Sequence, residues 1–407
     1  MFKPINQLSK IEFVALVAMM FATIAFSLDA MLPALPDIGR ELSPQSPNKA
    51  QLIITSFIIG IGIGTFFTGP LSDTFGRKSV ILLGAIIYIF TSALAYFSSS
   101  FELILLARIL QGLGAAAPRI VSLAIIRDLY TGREMSRIIS LGMVIFTIVP
   151  AVAPLIGVGI IAISGWRSIF LVFILFSIIT TVWLWIRQPE TLEKPNRRPF
   201  RFSLLRKALV ELFKHPIVRI AILVQTICLA ILFSMLATVQ PIYEITFKKG
   251  DSFPYWFGVI AILSATGSLV NAALVTKMGM RRIVTWSLIL QFIFSGIMIF
   301  VSNAMLSLEV QFALFVSWQT YVFTMAGTTM GNLNSIAMEP MGHISGTAAS
   351  AITGFATIGA ALVASPIGLL FDQSTLPLSI SLFLLSIFGI ILMTIMSKID
   401  IQITRAE

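Results

Sequence analysis

A chain of 407 residues in which 57% are hydrophobic and only 11% charged cannot fold as a soluble globule, since soluble chains average roughly 25% charged residues. The apolar excess has to face lipid rather than one large core. The net charge of +10 does not argue for nucleic acid, because Lys and Arg fall mainly in short loops beside apolar stretches, and one cysteine (Cys228) with two histidines makes neither a disulfide nor a metal centre.

In chain order, Lys3 and Lys10 precede an apolar run from Phe13 to Ala34 with no clear small-residue cleavage site. That run is longer than the apolar region of a signal peptide, so it is expected to remain as the first span. Spans of ~20 apolar residues read at 12–34, 50–69, 79–99, 101–125, 137–162 and 168–187, then at 217–241, 255–276, 282–302, 308–332, 344–367 and 377–397. The expected fold is all-α and integral to the membrane. Twelve transmembrane helices form two pseudo-symmetric six-helix bundles, 1–187 and 217–407, joined by a basic connector at 188–216. Of the basic residues, 21 fall on the side holding both termini and the connector, and 5 on the other. By the positive-inside rule, both termini are cytoplasmic. Within the connector, residues 210–216 read as a short amphipathic helix on the membrane surface. Lys277-Met-Gly-Met-Arg-Arg282 echoes Thr74-Phe-Gly-Arg-Lys78 at the same relative place in the other half. Such an internal repeat suits a transporter whose halves rock about a midplane site.

Ionisable residues inside apolar spans are expensive and mark function by default. Asp29 lies in Ser27-Leu-Asp-Ala-Met-Leu-Pro-Ala-Leu-Pro36. Hydrocarbon favours the neutral form of a carboxyl and a nearby cation favours the charged form, so such a group can exchange a proton for a substrate. The plainer reading is an acid capping the end of the span before Pro33 and Pro36. In the fourth span, Arg108, Gly112, Ala115 and Arg119 share one helical face, and two arginines on one side should face a polar cavity. Arg119 reads equally as a substrate contact and as a cation neutralising an acid elsewhere.

Between the second and third spans stands Gly69-Pro-Leu-Ser-Asp-Thr-Phe-Gly-Arg-Lys-Ser-Val80. Gly69 and Gly76 permit a very short loop, Arg77 and Lys78 mark it cytoplasmic, and Asp73 needs a partner. Asp128, in Arg127-Asp-Leu-Tyr130, is placed to pair with Arg77, and Asp73 to meet a helix N-terminus near His343, together forming a cytoplasmic latch. In the fifth span, Pro150 and Pro154 are expected to kink the helix, with Gly157 and its small neighbours allowing close approach. The spans of the second half offer Gln225, Gln240, Asn271, Gln291, Gln319, Asn332 and Asn334 among many Phe and Met residues. Apolar walls with a few hydrogen-bonding groups suit lipophilic ligands.

The Gly69–Val80 stretch resembles the signature loop of the major facilitator superfamily. Arg108-Ile-Leu-Gln-Gly112 is similar to that superfamily's fourth-span motif, and Asp29 with Pro33 and Pro36 to the first-span motif of its twelve-span drug:proton antiporters. Val149-Pro-Ala-Val-Ala-Pro154 resembles the fifth-span antiporter motif, although the glycines usual before each proline are replaced by Val149 and Ala153. Arg127-Asp-Leu-Tyr, Met338-Glu-Pro-Met-Gly-His and Gly346-Thr-Ala-Ala-Ser-Ala resemble the bicyclomycin-resistance/florfenicol-exporter (Bcr/CflA) branch.

The resemblance implies a proton-coupled multidrug exporter of a bacterial inner membrane, a monomer working by alternating access. Its partners would be protons, small amphipathic substrates and membrane lipid, with no cofactor and no metal. Asp29, Arg108 and Arg119 would serve proton coupling and substrate. Gly69, Asp73, Gly76, Arg77, Lys78 and Asp128 would form the conformational latch, and Pro150, Pro154 and Gly157 would shape a moving helix. No P-loop, His-Glu-x-x-His or nucleophile elbow supports an enzyme. Two other readings stay open: a transporter of one metabolite or siderophore, and a non-transporting receptor or enzyme on the same scaffold.

Overall fold

The computed structural model describes residues 8–197, 199 and 202–406, and the side chain of His343 lies outside the described residues. Helix α1 (Lys10–Asp29) starts at Ser9, whose hydroxyl accepts from the Glu12 amide. It ends at Asp29, because Pro33 brings no amide donor and the chain tightens into a 3₁₀ turn over Leu32–Ala34. Helix α2 (Leu35–Leu42) resumes the path. The first span is therefore broken just past Asp29 rather than continuous over 12–34.

A 3₁₀ turn over Pro47–Gln51 leads into α3 (Leu52–Phe75). This helix runs through Gly69, Pro70 and Asp73, so the expected loop of 69–80 shrinks to Gly76 alone. There φ is 97°, a left-handed conformation that only glycine adopts cheaply. Helices α4 (Arg77–Phe97), α5 (Phe101–Leu129), α6 (Gly132–Ser164) and α7 (Ser168–Arg187) follow. Helix α8 (Phe202–Lys214) begins well before the amphipathic segment expected at 210–216. Helix α9 (Pro216–Pro241) passes into a π-turn over Ile242–Thr246. The eighth span is split at Ala265 into α10 (Phe253–Ser264) and α11 (Thr266–Met278), followed by α12 (Met280–Asn303) and α13 (Leu308–Met338). The chain closes with α14 (Ser345–Leu369) and α15 (Leu376–Ala406).

Among the described residues, eleven helical segments are long and apolar enough to cross a membrane. Helix α13, at 31 residues, is long enough but more polar. Its polar groups turn inward: Gln319, Thr328, Thr329 and Asn332 are all buried. Large apolar side chains such as Phe90, Phe97 and Phe300 point outward, as lipid-facing residues do.

The chain divides into two compact units. The first comprises Met1–Gln45 and Ser56–Phe202, the second Ser46–Thr55 and Ser203–Glu407. The start of the second span thus packs with the second unit, where Asn48 Nδ2 donates to the Phe371 carbonyl at 2.5 Å. Within the first unit α4 packs on α5 and α1 on α6; within the second, α9 packs against α13, α14 and α15.

Candidate functional site

Arg108 is fully buried in α5. A cation in such a place must be hydrogen-bonded, because removing it from water is costly. Its Nη1 donates to Gln111 Oε1 at 2.6 Å and its Nη2 to the Ser27 carbonyl at 3.1 Å. Its guanidinium lies 4.2 Å from the centre of the Phe57 ring. Gln111 Nε2 in turn donates to Ser92 Oγ at 2.6 Å. Ser27 Oγ and Tyr88 Oη are 2.6 Å apart. One buried polar row therefore joins α1, α4 and α5.

Asp29 stands beside this row and outside it. The residue is 5% exposed, and no hydrogen bond or ion pair joins its carboxylate to a described residue. Two residues on from Ser27, it points to the opposite side of α1. The next residue, Ala30, is crowded by α6: a Cβ at Gly157 would run into the Ala30 carbonyl. Helix α6 runs unbroken through Pro150 and Pro154 to reach that contact. The structure thus brings Ala30, the residue after Asp29, against Gly157 and leaves Arg108 on Ser27 and Gln111. On α5, Gly112 and Ala115 are buried with Arg108, whereas Arg119 is half-buried.

At the α3–α4 turn, Arg77 is buried and gathers three neighbours. Nε donates to Asp128 Oδ2 at 3.0 Å, and Nη1 to Asp73 Oδ1 at 2.5 Å and to Ser72 Oγ at 2.8 Å. Glu190 caps the start of α4, accepting from the amides of Arg77 at 2.9 Å and Lys78 at 3.0 Å. A carboxylate is well matched to the free amides of a helix N-terminus. Lys78 Nζ donates to the Trp185 carbonyl at 2.9 Å, and Thr191 Oγ1 to Asp128 Oδ2 at 2.8 Å. Within its own unit, then, Asp73 is held by Arg77.

Sequence reasoning missed Ser27, Tyr88 and Ser92 in the buried row and Glu190 and Thr191 at the turn. Glu190 left a signal, being an acid at the very start of a basic connector. The three hydroxyls left none, since Ser and Tyr are ordinary in membrane helices.

In the second unit four of the predicted amides form two pairs, and Gln240, Gln291 and Gln319 bond to Glu244, Ser295 and Tyr243. Asn332 Nδ2 donates to Asn271 Oδ1 at 2.7 Å, and Gln225 Nε2 to Asn334 Oδ1 at 3.3 Å. Tyr243 Oη donates to Gln319 Oε1 at 2.9 Å.

Two compact helical units with outward apolar faces, the first burying Asp29, Arg77 and Arg108 and the second burying amides and hydroxyls, define a multi-pass membrane transporter. The model of the Major Facilitator Superfamily matches residues 15–364, and the chain belongs to that family. It is 31% identical over 269 residues to a bicyclomycin resistance protein homolog of Haemophilus influenzae, covering 66% of this chain and 67% of that one. A chloramphenicol resistance protein of Pseudomonas aeruginosa is 38% identical over 169 residues, 41% of this chain and 40% of the relative. Among solved structures, a D-xylose–proton symporter superposes with a TM-score of 0.72 at 14% identity, over 95% of this chain and 97% of that one, which establishes the shared fold. The match to the bicyclomycin-resistance homolog agrees with the Bcr/CflA branch that the motifs resemble.

Proposed function

We propose that this transporter is a drug:proton antiporter that exports small amphipathic molecules across a bacterial inner membrane, with both termini cytoplasmic and the monomer as the working unit. The relatives named for bicyclomycin and chloramphenicol resistance support the substrate class. The observation that carries the coupling is Asp29: a buried carboxylate, with no described partner, at the point where α1 breaks. A group so placed is neutral when protonated and seeks a partner when ionised, so it can alternate between a proton and a substrate. Arg108 keeps the adjoining helices in register and sets a positive field beside the acid. Arg119 lies on the same stripe and is half-buried, and it serves substrate or neutralises an acid elsewhere.

The Arg77–Asp73–Asp128 cluster, supported by Gly69, Gly76, Lys78 and Glu190, holds the cytoplasmic end of the first unit together during alternating access. Pro150, Pro154 and Gly157 shape the helix that passes Asp29. Membrane lipid would meet the outward apolar faces. A groove of about 510 Å³ is lined by Lys10, Arg133, Arg137, Glu134, Val14 and Leu141, with Lys10 already paired to Glu134 at 2.5 Å.

The test is dequenching of a pH-sensitive dye in acid-loaded everted vesicles, with chloramphenicol, bicyclomycin and the cation tetraphenylphosphonium as separate additions. Proton efflux driven by at least one compound, and abolished by Asp29→Asn, is expected. Equal efflux from Asp29→Asn would move the proton site elsewhere. No efflux with any compound would favour a narrow natural metabolite and end the multidrug reading.

A further inference from the structure

Helices α1 and α6 run side by side in the same direction: Lys10 meets Glu134, Phe21 lies at Gly142 and Ala30 at Gly157. The groove between their first turns changes from charged to apolar along both axes. On α6, Arg133, Glu134 and Arg137 come first, and Ile138 and Leu141 follow. Positions 133, 137 and 141, with 134 and 138 beside them, recur at helical spacing and so share one face. On α1, Lys10 comes first, and Ile11 and Val14 follow. Ile11 is 84% exposed and Leu141 43%, so the apolar part of the groove opens outward, where lipid lies.

The charged end holds three cations against one acid, a net charge of +2. Lys10 and Glu134 are paired, but both side chains are exposed, and such a pair contributes little. Arg137 stands near enough to Lys10 to oppose its charge. Arg133 and Arg137 are exposed, and neither has a hydrogen-bond or ion-pair partner among the described residues. The fold itself does not demand these charges. In the second unit α9 and α14 also pack on each other, yet α14 carries no charged residue over 345–355.

We propose that the groove between α1 and α6 binds one anionic phospholipid. Its phosphate sits among Lys10, Arg133 and Arg137, and an acyl chain runs along Ile11, Val14, Ile138 and Leu141. A free anion would leave the apolar half of the groove unused. A zwitterionic lipid would add a cation to the three already present. The bound lipid bridges α1, which carries Asp29, and α6, which reaches Ala30 at Gly157. The leaflet it comes from rests on the proposed cytoplasmic placement of the termini, but binding in micelles depends on neither orientation nor export.

The experiment uses the full chain in detergent micelles and follows the first bound lipid by native mass spectrometry. Dioleoyl phosphatidylglycerol, dioleoyl phosphatidylcholine and soluble glycerol phosphate are titrated separately, with the melting temperature of each lipid-free protein as the fold control. The wild type should bind phosphatidylglycerol at least about tenfold more tightly than either of the others. Arg133→Gln and Arg137→Gln should each weaken it by about three- to sixfold, the loss of one basic contact to an anionic headgroup. Glu134→Gln should tighten it, because the acid then neither repels the phosphate nor occupies Lys10. Lys277→Gln, which removes an exposed cation at the end of α11 outside the groove, should change nothing. Should one arginine variant fail to fold, the other and Glu134→Gln carry the comparison. Equal affinity for the two lipids, or glycerol phosphate bound as tightly as the whole lipid, would overturn the site. So would an equal loss from Lys277→Gln, or weaker binding by Glu134→Gln. Absence of proton efflux in the vesicle assay would instead remove the exporter reading and leave the lipid site intact.

Discussion

Arg108 spends a guanidinium hydrogen bond of 3.1 Å on the backbone carbonyl of Ser27, two residues before Asp29 on the same helix. The cation therefore fixes the position of α1 rather than neutralising its acid. With Gln111 and Ser92 extending the row, α1, α4 and α5 are tied together at one level. Whatever moves near Asp29 moves against a rigid neighbour.

Arg108→Lys should fail to replace the arginine. An ammonium is a single compact centre and cannot reach Gln111 and the Ser27 carbonyl as a planar fork does. Efflux in everted vesicles should fall by at least about tenfold, as expected when a charged hydrogen bond worth about 1.5–3 kcal/mol is lost. Efflux at the wild-type rate would show that the Ser27 contact is dispensable.

Tyr88→Phe removes the hydroxyl paired with Ser27 and little else, because the ring itself is buried against Phe173. The expected result is a melting temperature lowered in keeping with about 1 kcal/mol, while the apparent KM for drug stays near wild type. A large KM change without loss of stability would instead mean that the hydroxyl meets substrate.

Gly157→Ala should damage transport far more than Gly159→Ala. The added methyl at 157 runs into the Ala30 backbone carbonyl, which cannot yield as a side chain would, whereas a Cβ at 159 meets nothing within 4 Å. Expression and efflux of the two variants, compared side by side, check this; equal behaviour would show that the α1–α6 approach is loose.

Glu190→Gln keeps the shape of the α4 cap and removes its charge. A weaker cap, by about 1 kcal/mol, should loosen the Arg77 cluster and lower the maximal efflux rate with little effect on KM. Asp128→Asn, which takes the acceptor charge from Arg77 directly, should have the larger effect of the two.

Composition and periodicity alone were enough to indicate a membrane protein with its helices in two halves, and the motifs were enough to indicate the family. Those properties follow from local physics: a run of apolar residues must leave water wherever it sits. The same holds for Gly76, whose positive φ is a property of one residue, whereas the break after Asp29 interrupts a run that reads as one continuous span over 12–34, although Pro33 lies within it. Helix α13 was legible as a long helix, although its buried amides leave it outside the eleven segments apolar enough to cross a membrane.

What only the tertiary structure decided is which polar groups meet. Arg108 and Ser27 are 81 positions apart, Arg77 and Glu190 113, and Tyr243 and Gln319 76. Residue type fixes what each of these groups can donate or accept, but not which partner lies opposite once the helices have packed. In a medium without water each such choice is enforced, because a buried donor left without an acceptor has nothing else to bind.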